Sequence, residues 1–123
     1  MKKVASIFAM LLIAIVVTLS SCSVVTIVDA IHDFNATCPI DYGNGVIMKS
    51  AVLDDNGDAV FTIDAKQLPS EAIANDEMAE NFKKGLENEK ELVKLMKDSN
   101  TKLIIRINCS DDTVEFTYEA TEL

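Results

Sequence analysis

The sequence predicts an α+β two-layer sandwich with element order helix, hairpin, helix, hairpin, in which a four-stranded antiparallel sheet carries its helices on one face. Three observations predict it. Apolar residues recur at helical spacing over residues 24–35 and again over residues 70–97. Two pairs of β-branched or alternating runs are each joined by a short Asp-rich turn. The longer helical stretch separates the two pairs. With 123 residues and neither a linker nor a low-complexity stretch nor a residue-level repeat, the chain has room for one small domain.

The first helix is read from Val24, Ile27, Val28, Ile31 and Phe34, with Asp29, His32 and Asp33 on the other side. Its β-branched content makes it a poor autonomous helix, so packing must hold it. Cys38-Pro39 ends it, because proline disfavours helical geometry in the residue before it. Asp41-Tyr42-Gly43-Asn44-Gly45 is then a turn-rich connection. Residues 46–53 and 59–64 read as strands around Asp55-Asn56-Gly57-Asp58, where Asn-Gly can supply both positive-φ residues of a type I′ turn. Phe61 and Ile63 share one face of the second strand, Val60 and Thr62 the other.

From Pro69 or Ser70 to Lys97 one long helix is expected. Met78, Phe82, Leu86, Val93 and Met96 form its apolar stripe, opposite Glu80, Lys84, Glu87 and Glu91. Asn75 can cap its longer portion, Asp76 and Glu77 suit the first turn and Lys94 and Lys97 the last, and Gly85 is a weak point that costs about 1 kcal/mol against Ala. Asp98-Ser99-Asn100 stops it. Residues 103–109 are β-branched, Ser110-Asp111-Asp112 turn the chain, and Val114, Phe116 and Tyr118 alternate with Thr113, Glu115, Thr117 and Glu119.

Most of the hydrophobicity sits before this domain. Residues 4–19 are apolar apart from Ser6 and Thr18 and follow Lys2 and Lys3, the layout of an export signal. The run ends in Leu19-Ser20-Ser21-Cys22, which resembles the lipobox of bacterial lipoproteins. That resemblance implies residues 1–21 as signal peptide, cleavage of the Ser21–Cys22 bond, and acylation of Cys22 with palmitate-type chains, leaving residues 22–123 as a single domain anchored through Cys22. Each buried methylene contributes about 0.8 kcal/mol and one chain binds only marginally, so two or three chains on one Cys anchor durably. Two other fates stay open on the residues: a cleaved signal with a free Cys22, and a retained span over residues 4–28, which Ser20-Ser21-Cys22-Ser23 interrupts. All three export the remainder, since Lys2 and Lys3 favour a cytoplasmic N-terminus. By the sorting rule of the enteric lipoproteins that the lipobox resembles, Ser23 after Cys22 is compatible with an outer membrane.

The whole chain has a net charge of −9. From Cys22 onward it keeps all 20 acidic and nine of the eleven basic residues, a charge of −11. That field repels polyanions and argues against nucleic acid as a partner. One His and three Cys leave little for a metal site or a nucleophile–base pair, and no cofactor is expected. Cys38 and Cys109 are an exported pair that could close a loop of about 70 residues as a disulfide, worth up to about 4 kcal/mol on the entropy model, or stay as two buried free thiols. Asp54, Asn56 and Asp58 match the start of a calcium loop, but Ala59 and Ala65 stand where its Gly and bidentate Glu are required, so a solvated hairpin turn is expected. The paired acids Glu87/Glu91 and Asp76/Glu80 lie on a face spaced like a solvated surface, so the two-carboxylate template of glycoside hydrolysis is not invoked. Asp112-Thr113-Val114 resembles the acceptor of protein O-glycosylation in Bacteroides-type bacteria, which would make Thr113 a modification site.

Residues 30–123 look like the small lipoproteins of Bacteroides-type gut bacteria. The resemblance rests on Asn35-Ala36-Thr37-Cys38-Pro39-Ile40-Asp41 after a short helix, the strand at residues 46–53, the Asp-rich turn, Val60-Phe61-Thr62-Ile63-Asp64, the acidic helix and the final hairpin. It implies an envelope location and a small fold, but no activity and no catalytic residue. The expected function is therefore a membrane-anchored, non-enzymatic binding or interaction domain whose partner is an envelope protein or ligand. The alternative is a small enzyme or ligand-binding domain with Cys38, His32 and the Asp41-Tyr42 loop as its polar site.

Overall fold

A computed structural model of the protein describes residues 26–43, 45–88 and 90–122. The export segment, Ser21 and Cys22 lie outside the described residues. Helix α1 (Ile27–Asn35) is capped by Thr26, whose hydroxyl accepts from the Asp29 N–H at 3.2 Å, and it buries Ile27, Ala30, Ile31 and Phe34. Strands β1 (Ile40–Asp41), β2 (Ile47–Leu53) and β3 (Ala59–Asp64) follow. A 3-10 turn (Ser70–Ala72) leads into α2 (Asp76–Glu87), α3 (Lys90–Ser99), β4 (Leu103–Asn108) and β5 (Thr113–Tyr118), and a last 3-10 turn spans Ala120–Glu122.

The sheet corrects the expected architecture. It has five strands in the order β1-β2-β3-β4-β5 and is mixed: β3 and β4 run parallel at its centre, and the other neighbours are antiparallel. Two hairpins were expected to join into an antiparallel sheet of four strands. The error lies in the junction, since a helical crossover as long as residues 65–102 lets the next strand enter in the same direction. Ala59 pairs with Leu103 and Asp64 with Asn108 along the whole parallel ladder. The fifth strand, β1, has two residues, too few for any alternation to show.

Two local readings are also corrected. The helix expected to run to Lys97 is divided after Glu87. Asn88, a residue of low helix propensity, stands at the C-cap where the first of the two ends; the apolar stripe runs on across the break, since Val93 follows Leu86 by seven residues, about two turns. The β2–β3 turn is not type I′. Gly57 N–H donates to Asp54 O at 3.0 Å, Asp54 N–H to Asp58 O at 2.9 Å, and Gly57 alone of the turn takes positive φ, at 81°. This is the longer loop in which a turn is followed by a left-handed residue.

The caps follow side-chain chemistry. Asn75 Oδ1 accepts from Met78 N–H at 2.8 Å and starts α2. Asn100, at φ 53°, ends α3 in the left-handed conformation, while Thr101 N–H returns to Met96 O at 2.9 Å. The core lies between the helices and one face of the sheet. Phe34 of α1 meets Phe61 of β3 with ring centroids 5.6 Å apart, and Phe82 of α2 meets Phe116 of β5 at 5.4 Å. The Tyr118 hydroxyl donates to Ala79 O at 2.9 Å, fixing α2 against β5. Helix α3 touches both α1 and α2, so the three helices form one layer.

Candidate functional site

With the helices on one face, alternation along each strand dictates what the other face shows. The registers give three rows across it: Val52, Val60, Ile104 and Thr117; Ser50, Thr62, Arg106 and Glu115; Ile47, Asp64, Asn108 and Thr113. The first row is an apolar strip. Val52 is 46% exposed, whereas Val60 is only 5% exposed because Val52 and Ile104 flank it on neighbouring strands.

The other rows are polar and cross-linked. Arg106 Nε donates to Glu115 Oε2 at 2.6 Å. Asn108 Nδ2 donates to Asp64 Oδ1 at 2.9 Å and Thr113 Oγ1 donates to Asn108 Oδ1 at 3.1 Å, while Lys49 Nζ lies 3.7 Å from Asp64 Oδ2. Four side chains from four strands thereby form one continuous chain. Sequence reasoning missed this network, since its members are neighbours only once the parallel β3/β4 register is known. Nothing in the arrangement pairs a nucleophile with a base. It presents a small apolar strip beside ordered hydrogen-bonding groups.

The residues singled out from the sequence each have their own surroundings. His32 has a side chain 85% exposed and lies 3.8 Å from Asp33. Asp41 Oδ1 accepts from Gly43 N–H at 2.8 Å and shapes its own turn. The Cys38 thiol is directed at Phe34 O, 3.7 Å away; burial pushes it up from its ordinary pKa, against a smaller opposing effect from Thr37. Tyr42 is pushed up to about 12, mainly by burial and secondarily by neighbouring Cys38, and its hydroxyl has no hydrogen-bond partner among the described residues. Of the alternative site, Cys38 and Tyr42 are neighbours, while among the described residues no hydrogen bond or ion pair joins Cys38, His32 and Asp41.

Cys38 and Cys109 are both free thiols. Cys109 lies 3.9 Å from Ile107 O, and its pKa is raised by burial first and then by Asp111 and Asp112. Cys38 leads into β1 and Cys109 leaves β4, with β2 and β3 between them. Three strand spacings amount to roughly 14 Å, about twice the Cα separation a disulfide tolerates. Thr113 is exposed at the start of β5, with its hydroxyl bonded to Asn108. Asp54 spends Oδ1 on the N–H groups of Asn56 and Asp58, both at 2.9 Å, as a solvated turn requires. Among the described residues no cluster of His, Cys, Asp and Glu could hold a metal ion.

One further concavity was not read from the sequence, although the spacing of Lys90, Lys94 and Lys97 was its signal. An open groove of about 410 Å³ along α3 is lined by these three lysines with Glu87, Val93 and Asp98. Its mixed charge selects no ligand. No protein-family model, curated protein or solved structure matches the chain.

Proposed function

We propose that the chain is a membrane-anchored envelope lipoprotein whose domain is a non-enzymatic binding module, with the uncovered face of the sheet as its binding surface. The observation that carries the binding reading is the strip Val52–Val60–Ile104 lying beside the ordered chain Lys49–Asp64–Asn108–Thr113. Apolar area supplies affinity and the fixed polar groups supply orientation. The anchor rests on Leu19-Ser20-Ser21-Cys22. The partner is an envelope protein or ligand, and no cofactor is involved.

Two experiments separate the parts of this reading. Labelled palmitate should mark the wild-type chain in cells and not Cys22→Ala; label kept by the variant sinks the anchor. A photo-reactive side chain at Val52 should capture one defined envelope component, and Ile104→Lys should abolish that capture without unfolding the domain. Capture unchanged by Ile104→Lys, or none at all, removes the sheet face as the binding surface.

A further inference from the structure

We propose that β5 is a self-association edge, through which two copies of the chain pair antiparallel about a two-fold axis at Phe116 and form one continuous ten-stranded sheet. The pairing stands apart from the anchor and from the binding face.

The hydrogen-bond parity of the last hairpin defines the edge. Cys109 N–H donates to Asp112 O at 2.8 Å, which makes 109/112 a close pair. On the observed register the pairs Ile107/Val114, Ile105/Phe116 and Leu103/Tyr118 are then the bonded ones. The main-chain groups of Val114, Phe116 and Tyr118 therefore face β4, and those of Thr113, Glu115 and Thr117 face outward. The Thr113 N–H is taken by Asp112 Oδ1 at 2.8 Å, as this parity requires. Among the described residues no strand lies beyond β5 to meet Glu115 and Thr117.

The opposite edge is treated differently. Asp54 N–H bonds Asp58 O, so Ala51 N–H points away from β3, and there Asn35 Oδ1 accepts it at 3.0 Å beside the short β1. That edge is closed by a side chain and two residues of strand. The sequence Thr-Val-Glu-Phe-Thr-Tyr of β5 contains neither Pro nor Lys, and its register has no bulge, so it lacks the usual devices that discourage pairing. Its one charge, Glu115, is already neutralised by Arg106.

Self-complementarity selects the occupant and the register. A two-fold at Glu115 sets Glu115 against its own copy, and one at Thr117 sets Glu115 against Glu119; like charges directly opposite are unfavourable. A two-fold at Phe116 sets Glu115 against Thr117 on both sides, with four main-chain hydrogen bonds. It also brings the two Phe116 side chains together as a non-bonded pair, with Cα atoms about 4.5 Å apart. Phe116 is the partly buried member of the inward-facing set of β5, where Val114 and Tyr118 are buried, so Phe82 of α2 covers its ring only in part. A second copy covers the part of the ring that α2 leaves exposed.

The test uses the full chain in detergent, with Cys38→Ser and Cys109→Ser as background. An equimolar mixture of the Glu115→Cys and Thr117→Cys chains should give, under mild oxidation, a dimer linked between these two positions, identified by mass spectrometry of the joined peptides. Either variant alone should not link its new cysteines, because like positions lie two residues out of register on the two strands, beyond the roughly 7 Å a disulfide spans. Without the cysteines, Thr117→Pro, which removes an outward N–H, should convert the sedimenting dimer to a monomer. A monomeric wild type, equal linking in the mixture and in the single variants, no linking while the variants keep the wild-type circular dichroism, or linking to another protein in place of a second copy each overturns the proposal.

Discussion

Asp111 accepts two hydrogen bonds from Ser70, from its N–H at 2.8 Å and from its hydroxyl at 2.9 Å. The pair fastens the start of the helical crossover to the turn between β4 and β5. Two main-chain bonds support it: Ala65 N–H donates to Asn108 O and Ser110 N–H to Leu68 O, both at 2.8 Å. The hydrogen bonds from Ser70 hold the Asp111 carboxyl below its ordinary pKa. A carboxyl with a lowered folded pKa adds stability that is present above its unfolded pKa and is lost as pH falls through the folded one. Asp111→Asn should therefore lower the urea midpoint at neutral pH, and the gap to wild type should narrow as the pH falls through the lowered pKa of this carboxyl. A gap that does not change with pH means the carboxylate is not the acceptor that matters.

Asn35 closes the edge of β2 by accepting the Ala51 N–H. Asn35→Leu leaves that N–H without its protein acceptor, and a lost partner of this kind costs about 1–3 kcal/mol where water cannot replace it. Hydrogen exchange should show Ala51 losing protection in the variant, with amides in β4 following only the global change. Unchanged exchange at Ala51 would show that another group satisfies it.

Phe61 is 1% exposed at the centre of the parallel pair and touches Phe34. Phe61→Ala should cost about 3–5 kcal/mol, measured by chemical denaturation. Phe116→Ala should cost less, because Phe116 is only partly buried. Equal losses would contradict the placement of the core.

Tyr42 is pushed up to about 12 by burial and by Cys38. A raised folded pKa means a contribution to stability that is full below the unfolded value of about 10 and disappears as pH rises through the folded value. Absorbance titration should show a tyrosinate step near 12 that vanishes in Tyr42→Phe. Because the Tyr42 hydroxyl is without a hydrogen-bond partner among the described residues, removing it should leave stability unchanged or raise it. A loss of more than about 1 kcal/mol in Tyr42→Phe would reveal a partner.

Local chemistry is what the sequence expressed most clearly. The alternation of Phe61 and Ile63 with Val60 and Thr62, the Asn75 cap and the stop at Asn100 all arise from interactions within a few residues, and each is seen in the fold. Pairing across the crossover was not legible. Nothing in residues 59–64 or 103–108 distinguishes a parallel from an antiparallel neighbour, because either direction buries Phe61 and Ile105 on the same face. The polar network inherits this blindness: Asp64 and Asn108 are 44 residues apart and meet only through the register. The division of the long helix was not legible from its apolar stripe either, because Leu86 and Val93 keep helical spacing across it.

The parallel pairing of β3 with β4 also fixes an order of events. As the chain emerges from its N-terminus, the β2–β3 hairpin is complete by Asp64, yet its inner edge must wait for Leu103–Asn108. During that interval the hydrogen-bonding edge that will become the centre of the sheet is an end, bearing Phe61 and Ile63 with no strand beside them. Any chain that stops before residue 103 keeps that edge for good. Truncation at the second hairpin therefore does not yield a smaller version of the domain; it leaves an adhesive fragment, which cells should clear or find in aggregates.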